Sequence, residues 1–516
     1  MNPRNFSRDI RQLHSEVDDG MKRTRLNFIS SAALSLLLLV AGAPVRAQTS
    51  AQSKAPSVPD TPAGRRLSEW LRLNKGGDFD AIRNFMAASY DKPILERASA
   101  ELRAAYLVGA RHTNGEVKLV AVEKSSDLEI VAVGETALTE LQSRLTVKVA
   151  PEEPHIITFI NNEPIRPANA RKLSQAEFAR WLDGYLKRLA TADVFSGSVL
   201  IAKDGKPVFQ NAYGLASKAY NVPNRVDTKF NLGSMNKMFT AVAVAQLVEQ
   251  GRLSFDDTVG KVLPDYPNRE VAEKVKIHHL LTHTSGIGDY FTPKFFETSK
   301  ERFKAVKDYL PLFVDQPLLF QPGERMSYSN AGFMLLGAII EKVSGQDYFS
   351  YVREHIYRPA GMNDTDAYDL EHDTPNLAVG YTNENEEGRF IPGPRANNLF
   401  RHVVKGGPAG GGFSTAPDLL KFANALVGHK LLSQRYTDVL TTGKVVAGQG
   451  VKYGYGFFCA EVDGRRTVGH SGGFSGINSQ LDIHLDTGYT VIVMSNYDPP
   501  IAQQVVTKIG QVIPEG

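Results

Sequence analysis

The chain has 516 residues, 42% hydrophobic and 22% charged, with 59 Lys and Arg against 56 Asp and Glu, for a formal net charge of +3. That is a globular composition in a chain long enough for more than one domain. So small a charge excess, with no Lys/Arg cluster, argues against nucleic acid as a partner, and the single cysteine, Cys459, excludes an intramolecular disulfide.

The first 47 residues carry the pattern of an export signal. Met21-Lys22-Arg23-Thr24-Arg25 is a basic start, Phe28 to Ala43 is apolar around Leu36 to Leu39, and Val45-Arg46-Ala47 is a cleavage site before Gln48. The apolar run is shorter than the roughly 20 residues that span a bilayer. No cysteine follows it to take a lipid, so a stable membrane anchor is not expected. Residues 1 to 20 lie upstream as a polar leader, unless Met21 is the start. The expected destination is the periplasm or the extracellular space.

Residues 48–61 are rich in Ser, Ala and Pro and read as a linker. From 62 to 165 a small α+β domain is expected. Leu67, Trp70 and Leu71 have helical spacing up to Gly76-Gly77-Asp78, and Phe79, Ile82, Phe85 and Met86 mark a second helix. Alternation then predicts strands at Val117–Val122, Leu128–Val133, Leu145–Val149 and Ile156–Ile160. The order faintly resembles NTF2-like domains, and packing, dimerisation or cover for an active site is the expected role. Pro151, Pro154, Pro164 and Pro167 mark the join to the next unit.

Residues 172–516 form the second unit. An amphipathic helix is predicted over Gln175–Ala190, then a hairpin, with Val199–Ala202 and Pro207–Phe209 flanking the turn Asp204-Gly205. The middle, Ser234 to about Leu426, reads as helical with loops. Strands return at Tyr455–Glu461, Thr467–His470, Asn478–His484 and Thr490–Met494, before a last helix from Ile501. The first and last strands are expected to pair into one antiparallel sheet. Cys459 reads as a buried apolar residue.

The chemistry concentrates at Gly233-Ser234-Met235-Asn236-Lys237, where an apolar helix begins that stops at Gly251. Three residues apart, Ser234 and Lys237 share a helix face. A serine hydroxyl becomes a nucleophile when a neighbour takes its proton, and a lysine of lowered pKa can do so. The helix N-terminus would also stabilise a developing oxyanion. Ser-x-x-Lys alone is more often a surface pair, and Ser234 alone more often a helix cap. Two further motifs change that: Tyr328-Ser329-Asn330 before a helix over Ala331–Val343 that ends at Gly345, and His470-Ser471-Gly472-Gly473 between two strand-like segments.

With Leu280-Leu281-Thr282-His283-Thr284-Ser285-Gly286, Pro322-Gly323-Glu324-Arg325-Met326, Pro359-Ala360-Gly361-Met362 and Gly410-Gly411-Gly412-Phe413-Ser414-Thr415, this set resembles the class C β-lactamase, DD-carboxypeptidase and family VIII esterase group from about Leu173 to the end. The resemblance implies a mixed α/β penicillin-recognising serine hydrolase fold, an antiparallel sheet flanked by helices with a helical lobe, and the site between them. It implies no cofactor. Ser234 would be acylated, with Tyr328 as its activator and Lys237 as the cation that lowers the phenol's pKa. Asn330, which could equally be a helix cap, would bond Lys237 and substrate. His470 would position substrate beside Ser471 and Gly472, and the N–H groups of Ser234 and Gly473 would form the oxyanion hole. Histidine where many β-lactamases have lysine argues against strong β-lactamase activity but leaves carboxypeptidase activity open, since some carboxypeptidases of the group also have histidine there.

Gly469-His470-Ser471-Gly472-Gly473 also fits Gly-x-Ser-x-Gly, the elbow of α/β-hydrolases. More strand follows it, and the downstream acid and histidine, Asp482 and His484, are expected on opposite strand faces, so this reading is rejected. His279 and His283, four apart, have metal-ligand spacing without a third ligand and are taken as structural. The expected partner is a small ester, peptide or β-lactam, with homo-oligomers through the first domain. The competing reading is a non-catalytic binding or assembly module on the same fold.

Overall fold

The computed structural model describes residues 56–167, 173–385, 388–448, 450–462 and 464–514. Residues 1–47, where the sequence has the pattern of an export signal, and most of the linker lie outside them. Among the described residues no helix is long and apolar enough to cross a membrane.

The first unit opens with helices α1 (Pro62–Gly76), α2 (Phe79–Ser89), α3 (Lys92–Arg97) and α4 (Ala100–Asn114). The expected break after α1 is Gly77 at φ 71°, and Asp78 then caps α2 by accepting from Ala81 N. Neither α3 nor α4 is among the sequence expectations. Ser99 caps α4, whose apolar residues are mostly half-buried, so its periodicity is shallow. Strands β1 (Val117–Ser125), β2 (Glu129–Thr136), β3 (Gln142–Val149) and β4 (Ile157–Ile165) follow as an antiparallel sheet in sequence order. Pro164 lies inside β4, where it was expected at a join. An edge strand tolerates it, because its missing N–H faces no partner. Leu67, Trp70, Ile82, Phe85, Ile130 and Leu145 build a core of their own.

The second unit holds α5 (Gln175–Thr191), started by a capping box of Ser174 and Glu177. Next come β5 (Gly197–Lys203) and β6 (Lys206–Tyr213), then α6 (Asn236–Glu249), α7 (Asn330–Ser344) and α8 (Ala416–Val427). The C-terminal part supplies β7 (Val445–Gly448), β8 (Val451–Tyr453), β9 (Phe458–Val462), β10 (Arg465–Phe474), β11 (Ile477–His484), β12 (Tyr489–Ser495) and α9 (Ile501–Val512). One antiparallel sheet runs β7-β8-β9-β10-β11-β12-β5-β6. The early and late strands therefore pair, with β5 one strand in from the sheet's edge and Ile492 of β12 opposite Leu200.

Alternation along β5 divides two cores. Val199 and Ile201 face α5 and α9, while Leu200 and Ala202 face the helical lobe. Within that lobe α6 is buried on every side from Asn236 to Leu247, as a central helix must be if it is apolar all round. Phe239, with no exposed surface, meets Tyr357 and Phe422 edge-on at 5.1 and 4.8 Å.

The two units touch. Tyr185 Oη donates to Thr139 O at 3.0 Å, Lys508 Nζ donates to Glu140 O at 2.8 Å, and His112 of α4 lies 4.8 Å from the ring of Phe390.

Phe239→Ala should cost about 3–5 kcal/mol, the usual range for emptying a buried Phe site. The expected readout is a lower denaturant midpoint for the lobe, and an unchanged midpoint contradicts the packing described.

Candidate active site

Ser234 lies not in an α-helix but in the 3-10 turn Gly233–Met235 that feeds α6. The turn needs glycine at 233 for two reasons: φ is +52°, and a Cβ there would stand 2.9 Å from Gly473 N. The glycine-rich stretch 410–412, noted in the sequence without a role, braces this turn. Gly411 N donates to Gly233 O at 3.2 Å, Leu232 N to Gly412 O at 2.7 Å, and Gly412 N to the buried Asn236 Oδ1 at 3.1 Å.

Lys237 has no exposed surface. Its Nζ bonds Ser234 Oγ at 3.2 Å, Asn330 Oδ1 at 2.8 Å and Ala409 O at 2.5 Å. Burial disfavours the ammonium and lowers its pKa to about 7, with the Asp289 carboxylate opposing. Both protonation states are satisfied here. The ammonium donates three bonds, whereas the neutral amine donates two and turns its lone pair to the Ser234 hydroxyl.

Asn330 is not the helix cap. Ser329 caps α7 by accepting from Gly332 N, which leaves the Asn330 side chain free for Lys237. Its orientation is set by Asp289, a residue absent from the sequence expectations. Asp289 Oδ2 accepts from Asn330 N at 3.1 Å and from Asn330 Nδ2 at 2.9 Å. With Nδ2 so engaged, Oδ1 must face the lysine.

Tyr328 shares a hydrogen bond with Ser234, and Lys237 Nζ lies 4.8 Å from its ring centroid. The expectation that Lys237 lowers the phenol's pKa is not met. Burial raises it above the ordinary tyrosine value, and the lysine's charge does not offset that. His283, taken as structural, sits beneath this tyrosine. Its ring stacks on Tyr328 at 4.1 Å, its Nδ1 accepts from Ser329 N at 3.1 Å, and its carbonyl accepts from Ser327 N at 2.8 Å. The Thr-His-Thr segment thus holds the Tyr-Ser-Asn segment in place. Among the described residues no group of three His, Cys, Asp or Glu could hold a metal.

His470, Ser471, Gly472 and Gly473 lie inside one strand, β10, rather than between two. β9 pairs with β10 only as far as Phe458 opposite Gly469. Past that point β10 keeps β11 on one side only. Phe474 and Ile477 close the two-residue turn to β11, so Gly473, opposite Asn478, is in the non-hydrogen-bonded pair. Its N–H therefore points to the open edge, toward the Ser234 turn. Gly472 must lack a side chain, because a Cβ would stand 1.9 Å from Leu232 O.

His470 shares the strand face of Gly472, and both of its ring nitrogens are taken up by protein groups. It is 1% exposed, with Nε2 3.0 Å from Tyr453 Oη and Nδ1 2.6 Å from Ser471 O. A neutral ring satisfies both contacts, and burial, aided by the Lys237 charge, lowers its pKa to about 3. Asp482 and His484, two residues apart in β11, share a face rather than taking opposite ones. The elbow fails for other reasons: Ser471 is in continuous strand, His484 pairs with Thr467 Oγ1 at 2.9 Å, and Asp482 is bonded by Gln480.

A family model described as Beta-lactamase matches residues 178–510. Penicillin-binding protein 4* of Bacillus subtilis (strain 168) is 30% identical over 311 residues, covering 58% of this chain and 68% of that protein. Esterase EstB of Burkholderia gladioli is 29% identical over 334 residues, covering 58% of this chain and 84% of its own. The crystal structure of a penicillin binding protein from Bacillus halodurans matches with a TM-score of 0.56 and 33% identity, over 66% of this chain and 99% of that one. The matched span contains the sheet, the helical lobe and the whole Ser234 site, and the chain belongs to the beta-lactamase family as one of its serine hydrolases.

Proposed function

We propose that this chain is an exported hydrolase of neutral esters or amides, with Ser234 as the acylated nucleophile. The observation that carries the reading is the buried Lys237 amine, bonded to Ser234 Oγ and poised to be neutral near pH 7. Ser234 Oγ attacks the carbonyl carbon as its proton passes to the Lys237 lone pair. Asn330 and Ala409 hold the amine through its other two N–H bonds. The N–H groups of Ser234 and Gly473 receive the oxyanion. Tyr328, held protonated by burial, passes a proton to the leaving group and is resupplied from Lys237. Water then repeats the steps on the acyl-enzyme.

Two observations favour neutral esters over D-Ala-D-Ala peptides and β-lactams, which carry a carboxylate. The histidine that replaces the usual lysine is uncharged, buried and bonded at both nitrogens. EstB, named an esterase, aligns over most of its length. Export is supported by the pattern of residues 1–47, and the packing of residues 62–165 on α5 and α9 supports a bracing role for the first unit.

Brief exposure to a fluorophosphonate should add one mass increment, on the Ser234 peptide. Ser234→Ala should abolish the adduct and lower ester turnover by on the order of 10³-fold or more. An adduct on Ser471, or turnover that survives Ser234→Ala, would overturn the reading. Asp289→Ala should leave the fold intact but release the Asn330 carboxamide. The expected loss is about ten- to hundredfold in kcat with a smaller change in KM. Wild-type kcat in that variant would remove Asp289 from the account.

A further inference from the structure

Three half-buried phenylalanines stand at the rim of the Ser234 site. Phe474 directly follows the oxyanion glycine in β10 and shares a face with Gly472, whose missing side chain points at Leu232. Phe474 therefore points toward the Ser234 turn. Its ring stacks on Phe291 across the gap between sheet and lobe, with centroids 6.1 Å apart and planes 16° apart. Phe291 lies two residues past Asp289, whose carboxylate accepts from its N–H at 3.3 Å, and it stacks in turn on Phe296 at 6.1 Å. Further apolar residues lie near the turn that follows Phe474. Asn398 Nδ2 donates to Ser475 O at 2.9 Å, and the next two residues, Leu399 and Phe400, are 46% and 92% exposed. Half-buried rings at the rim of a nucleophile's site, with exposed apolar side chains near the adjoining turn, are the pattern of a binding surface.

The site decides what covers it. Ser234 Oγ and Gly473 N–H fix the scissile carbonyl. The leaving group must receive its proton from the Tyr328 side, and Tyr328 joins through His283 and Tyr453 to the His470 end of the strand. The acyl group then extends the other way, past Gly473, onto Phe474 and Phe291. We infer that these two rings, with Phe296, Leu399 and Phe400 beyond them, form a subsite for a bulky apolar acyl group, so that the substrates are esters of aromatic or medium-chain aliphatic acids. This rests on the acyl-serine reading above.

The test is a series of p-nitrophenyl esters sharing one leaving group: acetate, butyrate, octanoate and phenylacetate. Wild-type kcat/KM should rise from acetate to octanoate and phenylacetate. In Phe474→Ala and Phe291→Ala the octanoate-to-acetate ratio should fall about tenfold or more, and Phe474→Leu should restore part of it. Phe400→Ser, at a side chain too exposed to matter for folding, should lower the octanoate ratio alone. A wild-type ratio at or below one, with acetate hydrolysed, would overturn the subsite and leave the nucleophile assignment standing. Equal losses on every ester in Phe474→Ala, without rescue by leucine, would make Phe474 a structural residue and overturn it as well. Absence of any ester turnover or fluorophosphonate adduct in the wild type would instead strike the acyl-serine reading itself.

Discussion

An ammonium group stripped of water is the constraint on which the rest of this structure depends. Burying a charge costs several kcal/mol unless it is bonded on every side or gives up its proton. Lys237 does both, since three acceptors surround it and its pKa falls to about 7. Each acceptor comes from a different part of the chain. Ser234 comes from the turn before α6, Asn330 from the start of α7, and Ala409 from the glycine-rich stretch before α8. Holding them together requires Asp289 to orient Asn330, His283 to support Tyr328 and Ser329, and Gly411 and Gly412 to brace the turn.

That arrangement also explains why the lobe and the sheet are built so differently. The lobe surrounds α6 with apolar side chains, which provides the low-dielectric setting that discharges the lysine. The sheet contributes mostly backbone at the site. β10 outruns β9, and alternation then aims Gly473 N–H into the open edge. Glycine at 472, and at 233 opposite it, lets the strand approach the Ser234 turn at backbone distance. His470, on the same strand, turns into the pocket between Tyr453 and Phe458 and becomes part of the wall.

Much of this was legible in the sequence, because it is encoded by local pattern. The hairpin at Asp204-Gly205, the helices ending at Gly77 and Gly345, and the order Ser234, Lys237, Tyr328, Asn330 all follow from short-range spacing. What the sequence did not reveal depends on contacts between distant segments. Asp289 looks like any loop aspartate until it meets Asn330, 41 residues away. That His470 is bonded at both nitrogens depends on Tyr453, contributed by the separate short strand β8. The direction of the Tyr328 shift required weighing desolvation against a nearby charge, and desolvation depends on packing that no motif records. Helix α4 was missed because its apolar face is shallow, part of it resting on a loop of the second unit at Phe390.

The most direct test is the pH dependence of kcat/KM for a neutral ester. If the Lys237 amine takes the proton from Ser234, activity should be full above about pH 7 and fall tenfold per unit below it, as the amine becomes ammonium. The buried histidines do not compete for this limb, since His470 titrates near 3 and His283 well below its ordinary value. Added organic cosolvent should leave the limb in place if an ammonium is responsible, whereas a buried carboxyl such as Asp482, which burial raises to about 7, would shift it upward. A profile flat through pH 7 with its limb near 10 or above would mean that Lys237 stays charged and that the phenolate of Tyr328 is the base, which contradicts the account.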